Sequence, residues 1–532
     1  MSFIGVYEKS FKMTARKGKQ AKRKVFCRNT IPLTDQAIQG IMWTGFRTIL
    51  IYALRTITLM VLARLLSPED FGIMTAATAV VGFLSGLQDL GIGQALVQYS
   101  ALEVVHIRAG FTFSLVVGAG LTLGVWGVAP IIARFFPFEG MATILRVLAF
   151  SFLLTDTSVV ARALLQREMR FRALAGLEAL SYAVGYVAVA IPLAIFGFKV
   201  WALVGAYLAE VFVSGMGALL LRPHDFRPLL DGCAIKELLK FGGGYTITRI
   251  ANYASTQADK VVVGRWLGAY QLGIYSRAYY FVATASTFVE STFGRVLFPV
   301  MTQLQHEQER LASTYLHALS LINLMLCPIV IISIVIAPEL INVLLGKQWV
   351  ETVFPFRLLA PGIWFVTLYE VSFCLIKAKG AVYPLGKMQI LYFGLVIVGA
   401  LLGQRWGVNA VAVGVMIAMA VNALMIIVLS LQLVQMAWRD ICSAFVPALI
   451  SGGILGLWGW LISETLRSFN FPSIAVILVV GLGSPIIWFL FWRLSPTFFF
   501  GSTGTEAIRM VLSKVSPRVQ AVLRFFLGAK SR

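Results

Sequence analysis

Charged side chains fall inside stretches of this chain that are otherwise apolar. The basic set is Arg47, Arg55, Arg146, Arg249, Lys260, Arg277 and Arg295. The acidic set is Asp89, Asp156, Glu178, Glu210, Asp259, Glu290 and Glu370. A charge surrounded by hydrocarbon is costly unless it is paired or faces water, so each is either part of a polar pathway or half of a packing pair. The two sets are equal in size, which favours pairing for many of them. Arg146, Lys260 and Arg277 also lie near run ends, where a long side chain can reach the interface.

The clustering says more than any single member. Arg47 and Arg55 share one run and are separated by about 12 Å of helix rise. A later run carries Arg249, Asn252, Gln257, Asp259 and Lys260, with Asn252 and Asp259 on one face by their spacing. The next adds Glu290 and Arg295. A cavity walled by these runs is rich in guanidinium, whose planar fork stays charged and matches phosphate. Arg47, Arg55, Arg249, Asn252, Asp259 and Arg295 are therefore the substrate-binding candidates, for an anionic cargo that carries phosphate. Asp89, Asp156, Glu210 and Asp259 are candidates to carry a coupling proton or sodium ion.

Enzyme signatures are not evident. His106, His224, His306 and His317 are scattered, and there is no HExxH and no glycine-rich phosphate loop before Lys-Ser/Thr. Gly242-Gly243-Gly244 lacks both the lysine and a preceding strand, and reads as a close contact or hinge. Cys27, Cys233, Cys327, Cys374 and Cys442 form no CxxC, so neither disulfide nor metal is expected. No cofactor is expected beyond a coupling H+ or Na+.

The elements that position these residues are long apolar runs. Of 532 residues, 58% are hydrophobic and only 13% charged, well below the charged share of a soluble domain. Runs of membrane-spanning length recur near 41–65, 73–98, 109–133, 142–161, 173–197, 199–221, 241–265, 274–300, 315–337, 353–376, 385–403, 408–434, 442–463 and 473–492. The formal charge of +21 is not a nucleic-acid footprint. With the N-terminus cytoplasmic, 30 of the 45 Lys and Arg fall on the cytoplasmic side and 8 on the outer side, the positive-inside pattern, which puts both termini in the cytoplasm. The basic tails then face anionic headgroups. No cleavable signal peptide is expected, because the first apolar run is too long and lacks a cleavage site.

A short phrase occurs twice, at an offset of 201 residues. Ala63-Arg64-Leu65-Leu66 precedes Phe71-Gly72-Ile73, and Gly264-Arg265-Trp266-Leu267 precedes Leu272-Gly273-Ile274. Arg64/Arg265 and Gly72/Gly273 are the structural markers of this repeat. An even number of runs separates the copies, so both enter the membrane in the same sense. The expected fold is an all-α polytopic membrane protein of about 14 transmembrane helices, two six-helix lobes as parallel repeats plus two extra C-terminal helices. The expected parts are a basic tail (1–36), an N-lobe (37–221), a cytoplasmic linker (222–240), a C-lobe (241–434), helices 13 and 14 (442–493) and a second basic tail (494–532).

Three stretches resemble a known family. LARLLSPEDFG (Leu62–Gly72), ARALLQREMRF (Ala161–Phe171) and QADKVVVGRWLGAYQLGIYSRA (Gln257–Ala278) are similar to the polysaccharide transporter family of the multidrug/oligosaccharidyl-lipid/polysaccharide (MOP) exporter superfamily. The resemblance covers residues 37 to 434. It implies a MOP/MATE-like bundle with a cationic central cavity in the bacterial inner membrane. It also implies a flippase for undecaprenyl-pyrophosphate-linked oligosaccharide in lipopolysaccharide or exopolysaccharide biosynthesis, working by alternating access. A polysaccharide polymerase and export machinery are the implied partners. The other readings are a cation-coupled multidrug exporter of the same superfamily, disfavoured by the arginines, and a lipid II flippase.

Overall fold

The computed structural model describes residues 51–88, 90–99, 102–289 and 294–494, together with Phe499 and Thr505; the side chains of 240–252, 288, 289, 295, 296, 382, 492 and 494 fall outside that description. The chain divides into two units, Met1–Ile57 and Thr58–Arg532. In the first, residues 51–57 are helical. The second contains helices and no strand among its described residues.

After a helical lead-in that ends at Leu65, the second unit begins with α1 (Pro68–Gln88), the short α2 (Ile92–Gln98), α3 (Val104–Phe135), α4 (Met141–Asp156) and α5 (Val159–Arg167). Next come α6 (Phe171–Ile195) and α7 (Val200–Leu221). A long element, α8 (Gly232–Val289), folds back on itself at Gly268. Then follow α9 (Arg295–Gln303), α10 (Gln308–Val335), α11 (Ala337–Leu344), a 3-10 turn (Lys347–Thr352), α12 (Val353–Leu359), α13 (Pro361–Ala378), α14 (Val382–Gly403), α15 (Val408–Val434), α16 (Trp438–Ser468) and α17 (Ser473–Leu494). Among the described residues ten helices are long and apolar enough to cross a membrane, or eleven if α4 and α5, bent by 42°, form one span. The other expected runs are the leading one, of which residues 51–65 are described and helical, and the two joined within α8.

Several boundaries depart from the expected runs for local reasons. The run 73–98 is broken where Leu90 and Gly91 take positive φ, 38° and 73°, which no helix continues through. The run 142–161 bends after Asp156. Gly268, with φ 89° and ψ 174°, adopts a conformation open only to glycine and turns the chain between the limbs of α8.

The recurring phrases are helix-end chemistry. Ser67 caps α1: the Asp70 N–H donates to Ser67 Oγ at 3.2 Å, and Asp70 Oδ2 accepts from the Ser67 N–H at 2.9 Å and hydroxyl at 2.7 Å. This is a reciprocal capping box with Pro68 in the first helical position. The orphan carbonyls before it are met from the 3-10 turn. Gln348 Nε2 donates to Ala63 and to Leu66 O (3.0 Å), and Trp349 Nε1 donates to Ala63 O (2.8 Å). At the other end, Arg167 donates to the carbonyls of Leu96 (3.0 Å) and Tyr99 (2.6 Å), ending α2. Arg170 donates to Leu221 O (3.1 Å), ending α7. The largest apolar core runs through α1, α4, α7, both limbs of α8 and α15. The last two helices attach at α10 and α11: Gly452 and Gly456 of α16 close onto Cys327 and Ile331, and Arg467 pairs with the buried Glu339 through both carboxylate oxygens (2.7 and 2.9 Å).

Candidate functional site

The site is organised by the seam between α1 and α8, where the two copies of the repeat meet each other. A Cβ placed on Gly72 would run into the carbonyl of Ala269, and one placed on Gly273 would run into the carbonyl of Pro68. Pro68 and Ala269 are equivalent positions, as are Gly72 and Gly273, so the contact is reciprocal under the 201-residue offset. Thr75 and Ser276, also equivalent, bring their hydroxyls to 3.2 Å. Further along, the Tyr253 hydroxyl donates to Thr78 O at 3.0 Å, over the bare surface of Gly82. Small residues let the backbones approach, as in other close helix crossings in membranes.

Polar side chains gather on α8 beside this seam. Asp259 is buried; its Oδ2 accepts from the Tyr275 hydroxyl at 2.6 Å and its Oδ1 from the Lys260 backbone N–H at 2.8 Å. The Lys260 ammonium donates to Gln257 Oε1 at 3.0 Å and lies 4.7 Å from the centre of the Tyr279 ring. On the second limb, Arg277 stacks over Phe71 (4.7 Å) and Tyr280 (5.4 Å). Its Nε is buried without a hydrogen-bond partner, and it pairs with no carboxylate among the described residues. Tyr182 and Tyr186 of α6 lie within its electrostatic reach and stack on each other, centroids 4.6 Å apart at 18°. They flank the start of a π-helical stretch, Ala183–Ala190. Such widened turns expose side chains an α-helix would otherwise hide, and recur at functional sites. Two cations with one engaged carboxylate, walled by tyrosines, can hold an anion through charge-assisted bonds and a sugar ring against an aromatic face.

Of the substrate-binding candidates, only Asp259 is placed in this cluster by its described side chain. Arg47 lies outside the described residues. Arg55, in the first unit, is half-buried. Arg249 and Asn252 are helical positions of α8 and Arg295 opens α9, but their side chains lie outside the description. Among the coupling candidates, Asp89 lies outside the described residues. Asp156 is buried between α3 and α4, filling the space left by Gly118. Glu210 of α7 packs against Gly185 of α6, within electrostatic reach of Arg162 and Tyr186. The repeat arginines are peripheral: Arg64 donates to Val343 O at 2.9 Å, and Arg265 lies over Phe135 at 5.4 Å.

The cluster members absent from the candidate set are Arg277, Gln257, Lys260 and the tyrosines. Comparing the two repeat copies position by position would have found most of them. The second copy replaces Thr58 by Asp259, Leu59 by Lys260, Met74 by Tyr275, Ala76 by Arg277, Thr78 by Tyr279 and Ala79 by Tyr280. The shared glycines, Gly72 and Gly273, build the seam, and the polar groups come from positions where the second copy differs.

Comparison with known proteins agrees with this architecture. Residues 61–354, over half of the chain, match the family described as polysaccharide biosynthesis protein. Succinoglycan biosynthesis transport protein ExoT of Rhizobium meliloti (strain 1021) is 31% identical over 304 residues, 56% of this chain and 60% of ExoT. The match thus spans less than two thirds of that relative's length. Lipopolysaccharide biosynthesis protein WzxC of Escherichia coli (strain K12) is 23% identical over 401 residues, 74% of this chain and 80% of WzxC. Among solved structures, lipid II flippase MurJ in its inward closed conformation superposes with a TM-score of 0.68 at 14% identity, covering 85% of this chain and 99% of MurJ. At that identity the likeness is one of fold. The chain is a multi-pass membrane protein with the fold of the MOP exporters, and it belongs to the polysaccharide biosynthesis protein family.

Proposed function

We propose that this protein is a flippase that moves a lipid-linked oligosaccharide across the bacterial inner membrane, by alternating access, for lipopolysaccharide or exopolysaccharide biosynthesis. The observation that carries the reading is the Lys260–Arg277 centre, cationic and walled by tyrosines, set at the reciprocal seam inside an apolar helical bundle. The phosphate of the cargo binds the two cations and its sugars lie against Tyr182, Tyr186 and Tyr280. The names of ExoT and WzxC, each a polysaccharide biosynthesis protein and ExoT a transport protein, support the same cargo class. Transport rather than catalysis fits both the relatives and the site.

The proposal extends to topology. Residues 37–221 and 241–434 form two six-helix lobes, with helices 13 and 14 outside them. The Gly268 end faces outward, and the linker and both termini are cytoplasmic, as the Lys and Arg bias supports. Arg47, Arg55, Arg249, Asn252 and Arg295 remain candidates to contact cargo by their place in sequence. Asp89, Asp156, Glu210 and Asp259 remain candidates for a coupling H+ or Na+. A polymerase and export machinery take the cargo onward.

The test is equilibrium binding of a polyprenyl diphosphate to the purified full-length protein, by quenching of its intrinsic tryptophan fluorescence. Lys260→Ala and Arg277→Ala should each weaken binding roughly ten- to a hundredfold, the range for losing one charge-assisted contact. Unchanged affinity in both variants would remove the site from the reading.

A further inference from the structure

A cavity of about 850 Å³ opens beside the polar centre, between α1, α3, the first limb of α8 and α14. The helices line it with stripes. On α3 the stripe is Gly120, Gly124, Val128, Ile131 and Phe135, spaced three or four residues apart as one helix face requires. On α14 it is Phe393, Ile397 and Leu401. Apart from the Trp266 indole, the polar side chains in the lining are Tyr253 and Gln257, one helical turn apart on α8. Such a space excludes sugars and phosphates, whose polar groups would lose water and find no partners. It suits hydrocarbon. Its width comes from missing side chains: a Cβ on Gly120 or Gly124 would meet nothing within 4 Å.

Gln257 identifies the occupant. It lines the apolar cavity, and its Oε1 accepts from the Lys260 ammonium at 3.0 Å. The hydrocarbon space and the cationic centre are therefore contiguous through one side chain. A molecule with an anionic head and a hydrocarbon tail joined directly to it fits both at once. We infer that the cavity between α1, α3, α8 and α14 holds the polyprenyl chain of the lipid-linked cargo while its phosphate lies at Lys260 and Arg277. This rests on the flippase reading above and adds where the tail goes. The chain runs from Tyr253 toward Trp266, about 20 Å of helix rise, past Phe135 and Phe136 to the Trp266 end of the lining, tryptophan being a residue type enriched at membrane interfaces.

The test is photolabelling of the full-length protein in lipid nanodiscs. One probe is a long-chain polyprenyl diphosphate with a diazirine on its chain. The other is phosphatidylglycerol with a diazirine on an acyl chain. Adducts are mapped by peptide mass spectrometry. The expected polyprenyl adducts lie on α3 and α14, near Val128 and Ile397, and are displaced by unlabelled polyprenyl diphosphate but not by phosphatidylglycerol. Gly124→Leu should lower them roughly tenfold, the effect of displacing about two buried methylenes, with Gly120→Leu as the second variant. The wild-type map decides the matter even if both variants misfold. Equal, uncompeted labelling by phosphatidylglycerol would mean an ordinary lipid-facing surface. Competable adducts on α16 and α17 instead would leave the phosphate site standing and overturn this cavity as the tail site. No competable adduct anywhere would overturn the flippase reading, and the inference with it.

Discussion

Arg277 shows how one side chain can be held for a ligand. Its guanidinium rests on the faces of Phe71 and Tyr280, which steady a cation without neutralising it. No carboxylate among the described residues pairs with it, so on the proposed reading its guanidinium is left for the phosphate of the cargo. Asp259, by contrast, is engaged by Tyr275 and by its own backbone neighbourhood, which suits a carboxylate that shapes the site or exchanges an ion more than one that binds sugar. Arg277→Ala should abolish polysaccharide export with protein level preserved, and Arg277→Lys should restore only part of it, because an ammonium offers a point charge and no paired fork. Quantifying cell-surface polysaccharide beside an immunoblot checks both. Full export in Arg277→Ala would remove the residue from the pathway.

At the scale of elements, the seam between α1 and α8 works because two glycines and two carbonyls face each other reciprocally. Gly72→Ala or Gly273→Ala should each lower the melting temperature in detergent, with a cost of at least about 1–3 kcal/mol, since backbone rather than a flexible side chain must yield. Gly127→Ala, where a Cβ meets nothing within 4 Å, should be neutral or stabilising by up to about 1 kcal/mol. A second element-level contact lies at the linker end, where Glu237 accepts from the Tyr99 hydroxyl (2.6 Å) and sits 3.2 Å from His106 Nε2. The Tyr99 bond, then the His106 bond, hold its carboxyl below the usual carboxylate range. A depressed folded value contributes stability that is complete above the ordinary carboxylate pKa and is lost as pH falls through the folded value. The melting-temperature gap between wild type and Glu237→Gln should therefore be constant near neutrality and close only in acid, below about pH 4.5. A gap that closed between pH 6 and 8 would contradict this assignment.

Much of this level was legible in the sequence. Runs such as 199–221, 408–434 and 473–492 match α7, α15 and α17 to within two residues, because length and hydropathy alone define a helix in lipid. The breaks at Leu90–Gly91 and after Asp156 were not legible, because they depend on backbone angles that apolar composition does not encode. Two of the three phrases that carried the family resemblance proved to be caps, Ser67 with Asp70 and Arg167 with the end of α2. The third, Gln257–Ala278, spans the polar centre itself, at positions where the two copies differ. Arg277 and Lys260 read as run-end residues because α8 continues through Gly268 and brings both limbs to one place.

At the scale of the molecule, the reciprocal contact suggests how the two proposed lobes move. A crossing point where backbone meets backbone, at Gly72 and Gly273, is a natural pivot for a small rotation. The ties on the Gly268 end, Gln348 and Trp349 on the carbonyls before Ser67, hold that end together in this conformation. On the proposed topology, rocking that opened the outer side would have to break them, so Gln348→Ala should shift the population toward outward opening. Cysteine accessibility near Val343 to a membrane-impermeant reagent would rise in that variant, and unchanged accessibility would argue against a gate here.

The most direct measurement is mass spectrometry of polyprenyl-linked glycans in a strain lacking this gene, with their leaflet assigned in spheroplasts by access of an added periplasmic-side enzyme. A flippase predicts a polyprenyl-diphosphate-linked repeat unit accumulating on the inner leaflet, restored to the outer leaflet by the wild-type protein and not by Arg277→Ala. No accumulation, with surface polysaccharide intact, would contradict it.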